Sequence, residues 1–204
     1  MDDVSLCLAT NPADRQLLAV TGPAALRLEE VQYETGEGPG PEAAATGRPV
    51  LYPDVQAHPM PYPFFAPRLH EELEHATALC AFPINLGPRT LATADCLRYA
   101  PLRLDDPALD DTTQALEETA MVIADRCLPY FAVDTPLPWR PARIIDDHWG
   151  TTYRAAGVLA GLLSISVSEA LARLRASAFT TGRPLPALAR EVLKARRGRP
   201  CEED

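Results

Sequence analysis

The stretch Ser166-Val-Ser-Glu-Ala-Leu-Ala-Arg-Leu-Arg-Ala-Ser-Ala-Phe179 reads as one amphipathic helix that carries its own start signal. Ser166 followed three residues later by Glu169 is a capping-box pattern, in which hydroxyl and carboxylate satisfy amides that a first turn leaves without partners. Val167, Ala170, Leu171, Leu174 and Ala178 recur at helical spacing and form its apolar stripe. Gly182 suits the C-terminal cap, and Pro184 suits the first turn of a third helix. That helix has Leu185, Leu188, Ala189, Val192 and Leu193 on one side, with Arg190, Lys194 and Arg197 together on the other. Upstream, Ile145, Trp149, Tyr153, Ala156, Leu159 and Leu163 share a helical face between about 142 and 163, broken by Ser164 to Ser166. Three short amphipathic helices in succession predict a small all-α module over residues 142–198.

The sequence changes character on the N-terminal side of this module. Pro129, Pro136, Pro138 and Pro141 crowd one short segment. Prolines remove amide donors and clash with the preceding helical turn, so residues 131–141 are expected to be a linker that forbids a continuous helical relay. Before it, Val4–Ala9, Leu17–Thr21 and Val50–Tyr52 read as short strands. Leu79–Leu86 and Leu91–Tyr99, joined by Gly87-Pro88-Arg89, read as a hairpin. Helices are expected over Ala24–Tyr33, Arg68–His75 and Pro107–Leu128, with one turn at Glu42–Thr46. The prolines at 59, 61, 63 and 67 predict a loop over residues 57–67. Strands early and helices late predict an α+β domain, an antiparallel sheet flanked by helices, over residues 1–130, followed by the all-α module and an acidic tail at 199–204.

Charge divides the chain in the same way. Residues 1–139 hold 8 Lys/Arg against 21 Asp/Glu, a net of −13, whereas residues 140–200 hold 11 against 4, a net of +7. Glu202, Glu203 and Asp204 bring the chain to −9. This asymmetry points to a polyanion-binding surface masked by an acidic partner domain, or to an ordinary solvated helical face. Ten of the eleven basic residues are Arg, whose planar fork matches phosphate and stacks on bases. Trp149, Tyr153 and Phe179 could add aromatic faces or pack in the core.

Other patterns carry little. The five cysteines at 7, 80, 96, 127 and 201 are widely spaced with no CxxC pair, which fits neither a disulfide framework nor zinc. The acidic start Met1-Asp2-Asp3 does not read as a signal peptide, and no apolar run is long enough to span a bilayer. A cytoplasmic protein is expected, with no membrane contact. His70 and His75 resemble a zinc helix motif but stand one residue too far apart to share a face. Gly36, Gly38 and Gly40 lack the phosphate-loop spacing and read as a turn. No nucleophile elbow or catalytic constellation is visible, so no enzyme, metal or cofactor is expected.

Tyr153-Arg-Ala-Ala-Gly-Val-Leu159, Ser166–Phe179, Thr181-Gly-Arg-Pro-Leu185 and Ala189-Arg-Glu-Val192 together resemble an ANTAR domain, the three-helix RNA-binding module of bacterial antitermination regulators. The resemblance covers about fifty consecutive residues with the spacing intact. Upstream, Tyr33-Glu-Thr-Gly-Glu-Gly-Pro39, Ala44-Ala-Thr-Gly-Arg-Pro-Val50, Pro53-Asp54 and Phe82-Pro83-Ile84 resemble the GAF domains often fused ahead of ANTAR. Gly40 stands where related sequences often have Cys, and Ala92 where a strand Gly is common. The resemblance implies transcription antitermination by binding paired hairpins in nascent RNA. It also implies a GAF-like sensor or dimerisation domain, a homodimer, and an unidentified small ligand for the GAF-like half. Charge and helical spacing nominate Arg154, Arg173, Arg175, Arg183, Arg190, Lys194 and Arg197 for RNA contact, with loop bases approaching at the small residues Ala155 and Gly157. A DNA-binding helix-turn-helix regulator and a ligand-sensing protein-interaction module are the alternatives; Pro184-Leu-Pro186 at the start of the third helix speaks against base reading there.

Overall fold

The computed structural model describes residues 1–11, 14–103, 107–132 and 149–197, and the chain divides into two compact units, Met1–Arg140 and Pro141–Asp204. The first unit is built on a five-stranded antiparallel sheet. Its strands are β1 (Asp3–Asn11), β2 (Asp14–Val20), β3 (Val50–Tyr52), β4 (Ala78–Leu86) and β5 (Arg89–Arg98), in the order β2-β1-β5-β4-β3. The β4–β5 hairpin closes with Leu86 opposite Arg89. Gly87 supplies the positive φ of 59° at the first turn position, and Pro88 fits the second, where φ is negative in a type II′ turn.

Four helices accompany the sheet: α1 (Pro23–Thr35), α2 (Pro39–Thr46), α3 (Phe65–Glu72) and α4 (Pro107–Ala132). Side chains alternate across each strand, and each face of the sheet carries an apolar cluster packed against helices. Leu79 and Leu97 pack with Leu28 and Val31 of α1 and Phe65 and Leu69 of α3. Leu8, Leu18, Ile84, Ala92 and Ala94 pack with Ala120 and Ile123 of α4. Cys80, Phe82 and Cys96 extend that second layer, against Leu102 and Leu116.

Several boundaries differ from the sequence reading, and those at proline or glycine have a simple cause. α3 starts at Phe65, with Pro67 inside its first turn, where a missing N–H costs no helical hydrogen bond. Its leading amides, of Phe64 and Phe65, donate to the Glu37 carboxylate at 2.9 and 3.4 Å. The helix ends at Glu72, so His75 is not on it. α2 begins at Pro39, which makes Gly40 helical rather than part of a turn. α4 continues through Pro129 to Ala132, because one absent donor does not by itself end a long helix. Residues 133–148 and 198–204, with the remaining linker prolines, the early part of the first module helix and the acidic tail, lie outside the described residues.

The second unit holds α5 (Thr151–Leu163), α6 (Val167–Thr181) and α7 (Leu185–Arg197). Ser164, in the left-handed region at φ 53°, ends α5. Ser166 Oγ accepts from the Glu169 amide at 3.1 Å, while the Glu169 carboxylate turns to Arg173 rather than back to the cap. Gly182, at φ 62°, closes α6 as expected. Trp149, Ala155, Ala156, Ala160, Ala170, Leu171, Leu174, Leu185, Leu188 and Ala189 are buried. No helix among the described residues is by itself long and apolar enough to cross a membrane.

Candidate functional site

Two charged regions stand out, one in each unit, and they are built in opposite ways. In the first unit Arg15 of β2 lies on the sheet face that α1 covers. Ser5 and Cys7 of β1, Thr93 and Asp95 of β5 and Glu29 and Gln32 of α1 join it there. Register explains the meeting: Ser5 pairs with Asp95, Cys7 with Thr93, and Ala9 with Arg15, so β1 brings its neighbours' polar residues together. Arg15 Nη2 donates to Asp95 Oδ2 at 2.6 Å and to Thr93 Oγ1 at 2.8 Å, and lies 3.3 Å from Glu29 Oε2. Ser5 Oγ donates to Glu29 Oε1 at 2.6 Å. Gln32 bridges outward: its amide nitrogen donates to Asp95 Oδ2 at 3.1 Å and its oxygen accepts from the Gly40 amide at 2.7 Å.

This cluster is tightly closed. Arg15 is only 6 % exposed. A Cβ on Gly40 would stand 2.3 Å from Asp95 Oδ2 and 2.6 Å from Arg15 Nη2, so the start of α2 packs directly on the ion pair. The charged cluster and a side chain at position 40 compete for one space, which accounts for glycine at this position. Burial pushes the Glu29 carboxyl up to about 8, with Arg15 opposing and Asp95 adding to the rise. Burial favours neutral Arg15, but Glu29 and Asp95 outweigh it and hold the guanidinium charged. Burial and then Glu29 push the Cys7 thiol well above its ordinary value, which leaves it a poor nucleophile. Among the described residues no group of three or more His, Cys, Asp or Glu is placed to hold a metal ion.

In the second unit the charge is on the outside. Arg190 and Lys194 are exposed along one side of α7, while Leu185, Leu188 and Ala189 are buried on the other; the side chain of Arg197 lies outside the described residues. Of the remaining nominated residues, Arg173 is exposed and paired with Glu169 at 2.7 Å. Arg183 is exposed and forks onto Glu191, with Nη1 3.1 Å from Oε2 and Nη2 against Oε1. Arg154 is exposed but folds along its own helix, donating to the Gly150 carbonyl at 3.2 Å and to Thr151 Oγ1 at 3.3 Å. Arg175 is half-buried. Gly157 is exposed, with open space where a side chain would stand.

Ala155 corrects the sequence reading. It is 0 % exposed within the helical core, so it cannot be where a loop base approaches. The small residue serves helix packing, and the open position is Gly157. Of the three aromatic candidates, Trp149 is buried, Tyr153 half-buried and Phe179 66 % exposed.

The buried cluster escaped sequence reading because its members come from four separated segments. The available signal was Asp95 inside the apolar run Leu91–Tyr99, since a lone carboxylate there needs a partner.

No family model and no curated protein matches the chain. Solved structures with a similar fold include the GAF domain region of a Geobacter sulfurreducens PCA protein, at 14 % identity and TM-score 0.49, covering 60 % of this chain and 81 % of that one. They also include GAF3 of Slr1393 from Synechocystis sp. PCC6803, at 11 % identity and TM-score 0.46, covering 66 % of this chain and 88 % of that one. Type II free methionine-R-sulfoxide reductase from Thermoplasma acidophilum matches at 13 % identity and TM-score 0.45, covering 61 % of this chain and 79 % of that one. At these identities and TM-scores the likenesses assign no family, activity or ligand to this chain.

Proposed function

We propose that the chain is a cytoplasmic, non-enzymatic regulator whose second unit binds hairpin RNA in nascent transcripts and promotes antitermination. The first unit acts as a GAF-like sensor or dimerisation domain that controls it. The observation that carries this reading is the exposure of Arg190 and Lys194 on one side of α7, a helix whose opposite side is buried; the sequence extends that spacing to Arg197. Side chains four and seven residues apart on a helix line up along its axis, and a row of cations at that spacing follows a phosphate backbone. The ANTAR-like sequence of α5–α7 narrows polyanion to hairpin RNA. A homodimer would present two equivalent surfaces to two hairpins.

The reading assigns no catalysis to this chain; burial holds the Cys7 thiol beside the charge cluster protonated, and α1 and α2 close over that cluster. Competition between hairpin RNA and duplex DNA of matched length, measured by fluorescence anisotropy at several salt concentrations, tests the proposal. Preference for the hairpin with affinity falling steeply as salt rises supports it. Tighter binding to duplex DNA favours a helix-turn-helix regulator, and a salt-independent signal removes phosphate contact altogether.

A further inference from the structure

We infer that the buried cluster under α2 is a proton-operated latch: with a proton on Glu29 the start of α2 stays closed over the sheet, and loss of that proton lifts it. The inference goes beyond the RNA-binding reading and concerns the first unit alone, so either can fail without the other.

The charge count of the cluster requires a proton. Arg15 supplies one positive charge to the carboxyl groups of Glu29 and Asp95, and all three side chains are buried. With both acids ionised, a negative charge would stand uncompensated away from water, which is strongly unfavourable. Hydrogen bonding decides which acid keeps the proton. Asp95 Oδ2 accepts from Arg15 Nη2 at 2.6 Å and from Gln32 Nε2 at 3.1 Å, as suits a carboxylate. Glu29 Oε2 lies farther from the guanidinium, at 3.3 Å, and accepts no hydrogen bond. A proton on that oxygen makes it a donor, with Asp95 as the acceptor beside it.

The groups that face Glu29 are Ser5 and Cys7 of β1, Arg15 of β2 and Asp95 of β5. Glu42, the ionisable residue of α2, turns instead to the Tyr62 hydroxyl. Burial raises the Glu29 carboxyl to about 8, so its proton leaves to solvent just above neutral pH.

The wall that gives way is α2. Its first turn lies directly on the ions, because position 40 is glycine. The Gly40 amide donates to Gln32 Oε1 at 2.7 Å, and Gln32 donates in turn to Asp95, so α2 is tied to the carboxylate that the lost proton leaves crowded. Glu29 itself cannot withdraw, since Leu28 and Val31 anchor α1 in the core. Ser5, Arg15 and Asp95 are fixed by the pairing of β1 with β2 and β5. By contrast α2 has eight residues and is bracketed by glycines of positive φ, Gly38 at 134° and Gly47 at 65°. Glycine absorbs backbone rotation without a side-chain clash, which suits both positions to act as hinges. Lifting the first turn admits water to the ionised pair.

The test is amide hydrogen exchange on the full chain from about pH 6 to about pH 9, corrected for the intrinsic pH dependence of exchange. Protection of α2, read at the amides of Gly40 and residues 42–47, is expected to be lower than that of β1 and β5 throughout. It is expected to fall about ten-fold per pH unit up to about pH 8 and to level off above, because opening releases one proton. Glu29→Gln has no proton to lose and abolishes the fall. Ser5→Ala removes the hydroxyl that donates to Glu29 and favours its ionised form, so the levelling moves to higher pH. Protection of α2 that does not change with pH in the wild type overturns the inference, as does a fall that persists in Glu29→Gln. Equal protection of α2, β1 and β5 at every pH also overturns it, because the proton would then act on global stability alone. An unmoved levelling point in Ser5→Ala overturns it whether or not Glu29→Gln folds.

Discussion

The first unit holds an arginine between two carboxylates and buries all three; the second leaves a row of cations in water on α7. The same residue type plays two physical parts. Arg15 has its charge consumed by Asp95 and Glu29 inside the fold, so nothing remains for a ligand. Arg190 and Lys194 add little to folding, because exposed charges are screened, and they keep their charge for a partner. Composition sees only eight basic residues in one half and eleven in the other. Burial decides which of them can act on another molecule.

The contrast can be broken most forcefully at Arg15. Arg15→Ala leaves the Asp95 carboxylate buried without its cation, beside the Glu29 carboxyl, and loss of one partner of a buried pair costs about 3–5 kcal/mol. Amide hydrogen exchange of β1 and β5 should record the loss, together with a lower urea midpoint for the first unit. A change below about 1 kcal/mol would show that water reaches the cluster.

Acidity offers a milder test. Glu29 has a folded-state value raised to about 8, above its ordinary value of 4.5, so between those limits the folded state keeps a proton that the unfolded state has released. Stability therefore falls as pH rises from 5 to 8, by at most about 1.4 kcal/mol per unit from this group, and levels off above. Glu29→Gln should flatten that slope in urea titrations across the same range, and an unchanged slope would place its origin elsewhere.

Gly40→Ala comes next. Its methyl would enter the space of Asp95 Oδ2 and Arg15 Nη2, and an overpacked site of this kind costs about 1–3 kcal/mol. A thermal melt with an unshifted midpoint would mean that α2 moves away freely. Smallest of all for stability is Arg190→Ala, expected within about 0.5 kcal/mol of wild type while RNA affinity falls. A large stability loss there would erase the distinction between the two regions.

Much of the second unit was legible in the sequence, because its signals are local. Ser166 at the start of α6, Gly182 at its end, and the spacing of Leu185, Leu188 and Ala189 against Arg190 and Lys194 all lie within a few turns. The β4–β5 hairpin was legible for the same reason, since Gly87-Pro88 sits between two apolar runs. Long-range meetings were not. The Arg15 cluster needs residues 5, 15, 29 and 95 in one place, and only the strand register brings them there. Helical spacing alone did not reveal that Ala155 faces inward, because small residues suit both a close helix contact and an open surface. The carboxylates that hold Arg173 and Arg183 were also hidden, since Glu191 reaches Arg183 across the turn between α6 and α7. Pro67 and Pro129 misled for one reason. Each removes a single donor, and a helix held by its other residues accommodates that.

The most direct test of the account is the salt dependence of hairpin RNA affinity, compared between the wild-type chain and an Arg190→Ala/Lys194→Ala/Arg197→Ala variant. If these cations contact phosphates, the wild type shows a steep fall of log K with log salt, and the variant loses roughly two to three units of that slope with its stability intact. Equal slopes in the two proteins, or a flat line in the wild type, would contradict the claim that the exposed charge of the second unit serves RNA.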